Sequence, residues 1–325
     1  MTWGSRMPLL EIKHLKTYFK IMRGYVKAVD DISFDIEKGE AIGLAGESGC
    51  GKTTTALSIL RILPSNGEIV GGEIRFAGDD ITKLSEDKFR KDVRWKGISI
   101  VFQGAMNAFN PVIKVGDQLV EAITLHEDLK KGEAVARARK LLELVGIEPG
   151  RLSNYPHEFS GGMKQRALIA MAISCNPSIL IADEPGTALD VIVQAQILKL
   201  LRELKKNLNL SMIMITHDLS IIAETCEKTV IMYAGKIVEY GSVFDIFSEP
   251  LHPYTLGLIA AFPNIKAQKT RMKSIPGFPP DLLDPPPGCR FHPRCKYAMD
   301  ICTKKDPELI ADKKGRYVAC HLINK

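Results

Sequence analysis

No apolar run in these 325 residues approaches the ~20 needed for a helix to cross a bilayer. The first twelve residues hold no apolar leader core before Glu11. The expectation is a chain that stays in the cytoplasm and does any membrane work through a partner. Charge of one sign is scarce too: 44 Lys and Arg stand against 38 Asp and Glu, a net of +6. So mild an excess permits contact with nucleic acid or an anionic membrane and argues for neither. There is no internal repeat and no heptad run. Cysteine is thin before position 289: Cys50, Cys175 and Cys226 are scattered and read as structural. What remains is an ordinary globular composition, 45% hydrophobic and 25% charged, in a chain longer than one compact domain usually needs.

The strongest positive signal is Gly46-Glu47-Ser48-Gly49-Cys50-Gly51-Lys52-Thr53. It fits G-x-x-x-x-G-K-[ST], a loop that cradles phosphates. Glycines let consecutive N–H groups turn toward one anion without a Cβ in the way. Lys52 brings a cation to the β- and γ-phosphates, and Thr53 offers a hydroxyl to Mg²⁺. The apolar run Ala41–Ala45 reads as the preceding strand. A helix beginning at Thr54 follows, with its N-terminus facing the phosphates.

Short apolar runs alternate with helical patterns along the chain. Strands are expected at Leu9–Lys13, Val26–Ile36, Ile98–Phe102 (ending at Gln103), Ile179–Ala182 and Met212–Ile215. Gly67–Phe76 reads as an edge hairpin, and Val230–Tyr233 with Ile237–Tyr240 as a hairpin around Ala234-Gly235. Helices are expected over Val115–Leu125, Lys131–Val145, Phe159–Ile173 and Ile192–Leu204. The pattern implies an α/β fold with a mainly parallel sheet. From Glu249 the composition shifts, and Ile275–Gly288 is rich in proline. That stretch reads as an extended segment ordered by contact rather than a core element.

Two apolar strands end in chemistry. Asp183, at the end of Ile179–Ala182, suits Mg²⁺ held beside a phosphate loop. Glu184, one residue further, suits a general base for water. Met212–Ile215 leads to His217, read as a γ-phosphate contact because two other strand-end motifs accompany it. Ser160-Gly161-Gly162 opens a helix and forms a second anion site, 108 residues after Lys52. One chain needs one such loop, so the second site makes sense if it serves the nucleotide of another copy.

The set Gly46–Thr53, Gln103, Ser160–Gln165, Asp183-Glu184, Ala188-Leu189-Asp190 and His217 resembles the ATP-binding subunit of an ABC (ATP-binding cassette) transporter. The likeness spans residues 46–217. Phe159 and Met163 depart from the usual Leu-Ser-Gly-Gly-Gln. Gly186 stands where a hydroxyl residue is common. The resemblance implies a phosphate-loop ATPase core of RecA-like type over 1–104 and 159–248, with an antiparallel β subdomain. It implies a helical signature subdomain over 105–158 and a Cys-rich extension over 249–325. It assigns Mg·ATP to the loop, including Thr54, with Mg²⁺ held by Thr53, Gln103 and Asp183. Gln103 becomes the γ-phosphate sensor, Glu184 the base and His217 the clamp. Asp190 crosses a dimer interface, and Ser160 and Gly162 close over ATP held by the opposite subunit. Adenine stacks on an upstream aromatic. Phe19 occupies that place, with Tyr18 and Tyr25 as rivals and a core role for any of them still open. Asn107–Pro111 reads as a docking turn, with Met106 and Phe109 as coupling residues.

Cys289, Cys295, Cys302 and Cys320 have the spacing C-x5-C-x6-C-x17-C. Four thiolates suit zinc or an iron–sulfur cluster. The short C-x2-4-C knuckles common in zinc sites are missing, which favours a cluster. His292 and His321 read as surface residues. Pro250–Thr255, Ile275–Pro280 and Gly288–Cys295 resemble the tail of the oligopeptide/dipeptide/nickel importer branch, and that resemblance points to [4Fe–4S], with Zn²⁺ or free thiols as alternatives. It also implies peptide cargo, two integral-membrane permeases, a second ATPase subunit, an extracytoplasmic peptide-binding protein and a place on the cytoplasmic face of the membrane. No nucleic-acid partner is expected. The competing reading is a soluble ABC-type Fe–S ATPase acting on nucleic acid or ribosomes. No sequence feature supplies an electron path to the ATP site, so the expected role is structural: loss of any one of the four cysteines should make the tail protease-sensitive while ATP binding at Lys52 persists.

Overall fold

The computed structural model describes residues 7–104, 108–261 and 275–323. Its strands are β1 (Leu10–Ile21), β2 (Gly24–Ile36), β3 (Ala41–Ala45), β4 (Gly67–Phe76), β5 (Asp79–Asp80), β6 (Ile98–Val101), β7 (Ile179–Asp183), β8 (Ser211–Ile215), β9 (Lys228–Tyr233), β10 (Lys236–Ser242), β11 (Ile310–Ala311) and β12 (Tyr317–Val318). Its α-helices are α1 (Lys52–Ile59), α2 (Glu86–Asp92), α3 (Val115–His126), α4 (Lys131–Leu144), α5 (Gly161–Ala172), α6 (Val191–Leu208), α7 (Leu219–Thr225), α8 (Val243–Ser248) and α9 (Pro253–Ala260). Among the described residues no helix is long and apolar enough to cross a membrane. The chain forms two compact units. One comprises Met1–Glu37, Ala41–Thr82 and Ile215–Lys325, the other Lys38–Glu40 and Lys83–Met214.

The first unit holds an antiparallel sheet in the order β2-β1-β4-β5. In β1, Leu10, Ile12, Leu15 and Thr17 are buried, so the two-residue alternation slips once. The slip is a bulge between Ile12 and Leu15, where His14 has φ +49°. Gly72 lies against that bulge at φ +86°, and a Cβ there would stand 2.4 Å from the His14 carbonyl oxygen. Gly67–Phe76 is therefore one strand along β1 and not a hairpin, because Gly72 answers the bulge rather than making a turn.

The same unit carries the strand order β11-β12-β10-β9-β3. Strand β3 is wholly buried and runs parallel to β9, as its unbroken apolar sequence requires. The β9–β10 turn is Ala234-Gly235, at φ +49° and +82°, the positive pair a two-residue hairpin favours. Tyr233, Val238, Ile246, Tyr254 and Phe291 share one core cluster, with Cys289 and Cys295 packed against it. The C-terminal region thus does more than lie on a surface. Phe291 enters the core, and β12 pairs with β10 through Glu239↔Val318 and Tyr240↔Tyr317. Helices α7, α8 and α9 escape a periodicity reading because each spans two turns or so. Asp218, Ser242 and His252 cap them.

The second unit holds strands in the order β8-β7-β6, with β6 and β7 parallel from Ile98↔Ile179 to Val101↔Ala182. Helices α3 and α4 pack on each other and on α5, and α5 packs on β6 and α6. The helical segment is packed against its neighbours within this unit, Lys38–Glu40 and Lys83–Met214. The short, highly charged α2 buries only Phe89 and is capped by Ser85.

Candidate functional site

The phosphate loop lies in the first unit, between β3 and α1. Gly46, Gly49 and Gly51 have φ +147°, +77° and +106°. A Cβ on Gly46 would meet the Met232 carbonyl oxygen at 2.2 Å, and one on Gly51 the Ala28 carbonyl oxygen at 2.3 Å. The backbone at both points is pressed against β9 or β2, and only glycine fits. Nothing lies within 4 Å of where a Cβ on Gly49 would be, and Ser48 and Thr53 are exposed, so one side of the loop is open. Lys52 Nζ donates to the carbonyls of Gly46 at 2.7 Å and Glu47 at 3.0 Å. Its cation is already curled into the loop that it would serve. Cys50 is buried, and burial pushes its thiol up, which fits a packing role. The residues suit a phosphate chain: an open loop of glycines with a lysine at its centre and a hydroxyl at a helix start.

His217 follows β8 and is exposed. The helix cap beside it is Asp218, whose carboxylate accepts from the Ser220 N–H at 2.8 Å. The Asp218 N–H donates to Thr216 Oγ1 at 3.0 Å. The α7 cap is therefore Asp218 and not the histidine, and His217 is exposed rather than part of the core.

The second unit carries the acids. Asp183 is buried at the end of β7. Glu184 sits next in the left-handed region, φ +47°, a conformation that costs a non-glycine residue about 1–3 kcal/mol. Its Oε2 accepts from Gln103 Nε2 at 2.7 Å and from Thr187 Oγ1 at 2.9 Å. Gln103 is thus joined to the proposed base directly. Thr187 was not singled out from the sequence, although a hydroxyl three residues beyond an acid in a turn is a readable signal. Ser160 caps α5, accepting from the Met163 N–H at 3.3 Å, and Asp190 caps α6, accepting from the Val193 N–H at 2.9 Å. A Cβ on Gly162 would stand 2.7 Å from Val193 Cγ1, which explains a glycine there and sets Ser160-Gly161-Gly162 beside the start of α6. Phe109 is only 5% exposed, so it is a core residue rather than part of a docking surface; just beyond it, Val112 is an exposed apolar side chain, at 76%. Met106 and Asn107 lie outside the described residues.

Phe19 is half-buried on β1 opposite Val26 and Gly67. A Cβ on Gly67 would stand 2.7 Å from its ring, so that glycine makes room for it. Tyr18 donates to Asp30 Oδ1 at 2.7 Å, and burial together with that bond pushes its hydroxyl up to about 12. Tyr25 is exposed.

None of the seven cysteines is disulfide-bonded. Cys289 is pushed up to about 12 by burial, and Cys302, Cys320 and Cys295 are close enough to add to that shift. Burial raises Cys295 and Cys320 as well. The Cys289 N–H donates to the Cys302 carbonyl at 2.9 Å. Yet among the described residues no three His, Cys, Asp or Glu side chains stand close enough together to hold a metal ion. His292 Nδ1 lies 2.9 Å from the Cys289 carbonyl oxygen and His321 Nε2 2.8 Å from that of Lys305, so both imidazoles are engaged with backbone.

The sequence reading missed the residues that join this segment to the loop. Arg294 makes a two-pronged ion pair with Glu47, at 2.6 and 2.9 Å. The Tyr254 hydroxyl accepts from the Glu47 N–H at 2.8 Å, so that amide is already engaged. Arg290 donates to the Ala234 carbonyl and to Asp30. An arginine between two cysteines carries no periodic signal that would betray such partners.

Loop, strand-end acids and helix-start serine define a nucleoside-triphosphate hydrolase of the ABC type. The family description "ABC transporter" matches residues 29–187, and "Oligopeptide/dipeptide transporter, C-terminal region" matches 238–302. The chain is 45% identical to the oligopeptide transport ATP-binding protein AppD of Bacillus subtilis, covering 98% of this chain and 97% of that one. It is 47% identical to OppD of Escherichia coli, with 96% and 92% covered. Among solved structures, cbiO1 of Clostridium perfringens, part of the ABC transporter complex cbiONQ, superposes with a TM-score of 0.64 at 28% identity, with 75% of this chain and 92% of that chain covered. The chain belongs to the family of ABC transporter ATP-binding proteins and is an ATPase. The reading as a soluble Fe–S ATPase on nucleic acid or ribosomes gains nothing from these relatives, which are transport proteins by name.

Proposed function

We propose that this chain hydrolyses ATP to drive uptake of dipeptides or oligopeptides through a membrane transporter. The observation that carries the reading is the combination of an ABC ATPase region with a C-terminal region of the oligopeptide/dipeptide type, in one chain 45–47% identical over nearly its whole length to oligopeptide transport ATP-binding proteins. The partners are two integral-membrane permeases, a second ATPase chain and, indirectly, an extracytoplasmic peptide-binding protein. The chain works on the cytoplasmic face of the membrane, with the exposed surface around Val112 turned to the permeases.

Lys52, Thr53, Thr54 and the outward loop amides bind the phosphates, and Phe19 stacks on adenine. Thr53, Gln103 and Asp183 hold Mg²⁺, which supplies charge neutralisation at the phosphates. Glu184, steadied by Gln103 and Thr187, takes the proton of the attacking water, and His217 contacts the γ-phosphate. Ser160, Gly162 and Asp190 act across a head-to-tail dimer that closes on two ATPs. In the tail, Cys289, Cys295, Cys302 and Cys320 hold a [4Fe–4S] cluster. Support comes from their spacing and from the absence of a disulfide at any of the four.

The test of cargo is uptake of labelled peptides and of nickel into cells, or into vesicles carrying the chain with its permeases. ATP-dependent accumulation of peptide is expected; nickel uptake without peptide uptake would sink the peptide reading. For the tail, protein purified without oxygen should contain about four irons per chain, the number in the proposed cluster. Stoichiometric zinc without iron or sulfide refutes the cluster, and four titratable thiols without metal refute both metals.

A further inference from the structure

The segment Cys289–Cys295 carries two arginines whose partners lie at the phosphate loop and at the β9–β10 turn. We propose that Arg294 is a positioning residue for the phosphate loop: it neutralises and orients Glu47, so that a loop bearing a carboxylate can receive the negatively charged phosphates of ATP. This rests on the reading of Gly46–Thr53 as the ATP site.

The Arg294 side chain is only 5% exposed. Its hydrogen bonds are fully laid out. Nε donates to the Pro276 carbonyl at 2.8 Å, and Nη1 donates to Glu47 Oε2 at 2.6 Å and to the Tyr233 hydroxyl at 3.3 Å. Nη2 donates to Glu47 Oε1 at 2.9 Å and to the Ile275 carbonyl at 3.4 Å. The guanidinium also lies over the Tyr233 ring, with Cζ 5.7 Å from its centroid. A planar fork on a carboxylate, with the remaining donors satisfied, fixes both charge and direction. The pairing raises the arginine's own affinity for its proton further.

Glu47 is held at three points. Arg294 takes its carboxylate, the Tyr254 hydroxyl its N–H, and Lys52 its carbonyl. Tyr233, Tyr254 and Phe291 form a mutually packed aromatic trio, with centroids 4.6–5.4 Å apart, behind these contacts. Arg290 adds a second brace. It holds the Ala234 carbonyl, and the neighbouring Gly235 N–H donates to the Cys50 carbonyl inside the loop at 3.0 Å. Without Arg294, Glu47 would place an uncompensated negative charge beside an anion site, and like charges at such range repel strongly where water is partly excluded.

The experiment is equilibrium binding of a fluorescent ATP analogue, with melting temperature recorded for each variant. Arg294→Gln, which keeps hydrogen-bonding capacity but not charge, should bind roughly 10- to 100-fold more weakly. Glu47→Gln should bind as tightly as the unmodified chain or more so. The double variant should recover to within about threefold of Glu47→Gln, because the charge that needed compensation is gone. A purely structural pin predicts no such recovery. Arg294→Gln binding within threefold of wild type, or a double variant as weak as Arg294→Gln alone, overturns the proposal. Should Arg294→Gln fail to fold, Glu47→Gln carries the test: affinity at or above that of the unmodified chain supports it, and a tenfold loss refutes it. Lys52→Ala separates the underlying reading, since a Lys52→Ala chain that binds ATP normally would refute the phosphate loop itself whatever Arg294 does.

Discussion

The loop Gly46–Thr53 and the segment Cys289–Cys295 are similar in length and opposite in origin. The loop takes its shape from its own backbone, through three glycines at positive φ and a lysine bonded to carbonyls five and six residues upstream. The cysteine segment holds only a single 3-10 turn, His292–Arg294. Its place is set from outside, by Phe291 in the core and by arginines whose partners lie up to 260 residues away. An anion-binding backbone can be local, whereas the charge balance around it depends on a distant segment.

The largest effect expected should leave that link untouched. Glu184→Gln removes the proposed base in the other unit and should lower ATP hydrolysis by roughly 10²–10⁴-fold. ATP affinity should hold, and an ATP-bound dimer should accumulate in size-exclusion chromatography. Hydrolysis at the normal rate would remove Glu184 from that role.

Phe291→Ala strikes the cysteine segment where it enters the core. Emptying a buried aromatic site costs about 3–5 kcal/mol, read as a lower midpoint in urea unfolding. If Arg294 reaches Glu47 through this anchor, ATP affinity should fall with it. Lost stability with unchanged affinity would show the two regions to be independent.

Cys295→Ser is a finer probe, because it sits one residue from Arg294. Limited proteolysis should open the chain within 275–323. The sequence alone leads one to expect unaltered ATP binding, but the Arg294–Glu47 pair leads to weakening by roughly 2- to 30-fold, the usual span of coupling through such networks. A titration with the ATP analogue decides between them.

The smallest effect concerns pH. His252 is wholly buried, and desolvation lowers its pKa to about 3. The unfolded chain then binds the extra proton first, so this residue's contribution to stability is intact above pH 6.5 and is lost as pH falls toward 3. Glu239, held above the usual carboxyl range by burial, acts in the opposite sense. His252→Asn should flatten the acid side of the stability curve between pH 6.5 and 4, measured by urea unfolding. A curve parallel to the wild type would assign the acid sensitivity elsewhere.

Sequence alone was enough for the elements with a dense local code. The glycine pattern of the loop, the buried run of β3, the Ala234-Gly235 hairpin and the helices α3 to α6 each carry their geometry in consecutive residues. Gly67–Phe76 misled because glycines that make room for a bulge (Gly72) or an aromatic ring (Gly67) look like turn glycines until the partner strand is known. Phe109 looked like a docking residue because burial is a property of the fold and not of the side chain. The four cysteines were legible as a group, but the two arginines between and beside them were not. Periodicity and spacing report on backbone conformation, which is decided within a few residues. A buried ion pair such as Arg294 with Glu47 depends on which surfaces meet after the chain has folded, and only the tertiary structure could decide that Arg294 and Tyr254 meet the phosphate loop at Glu47.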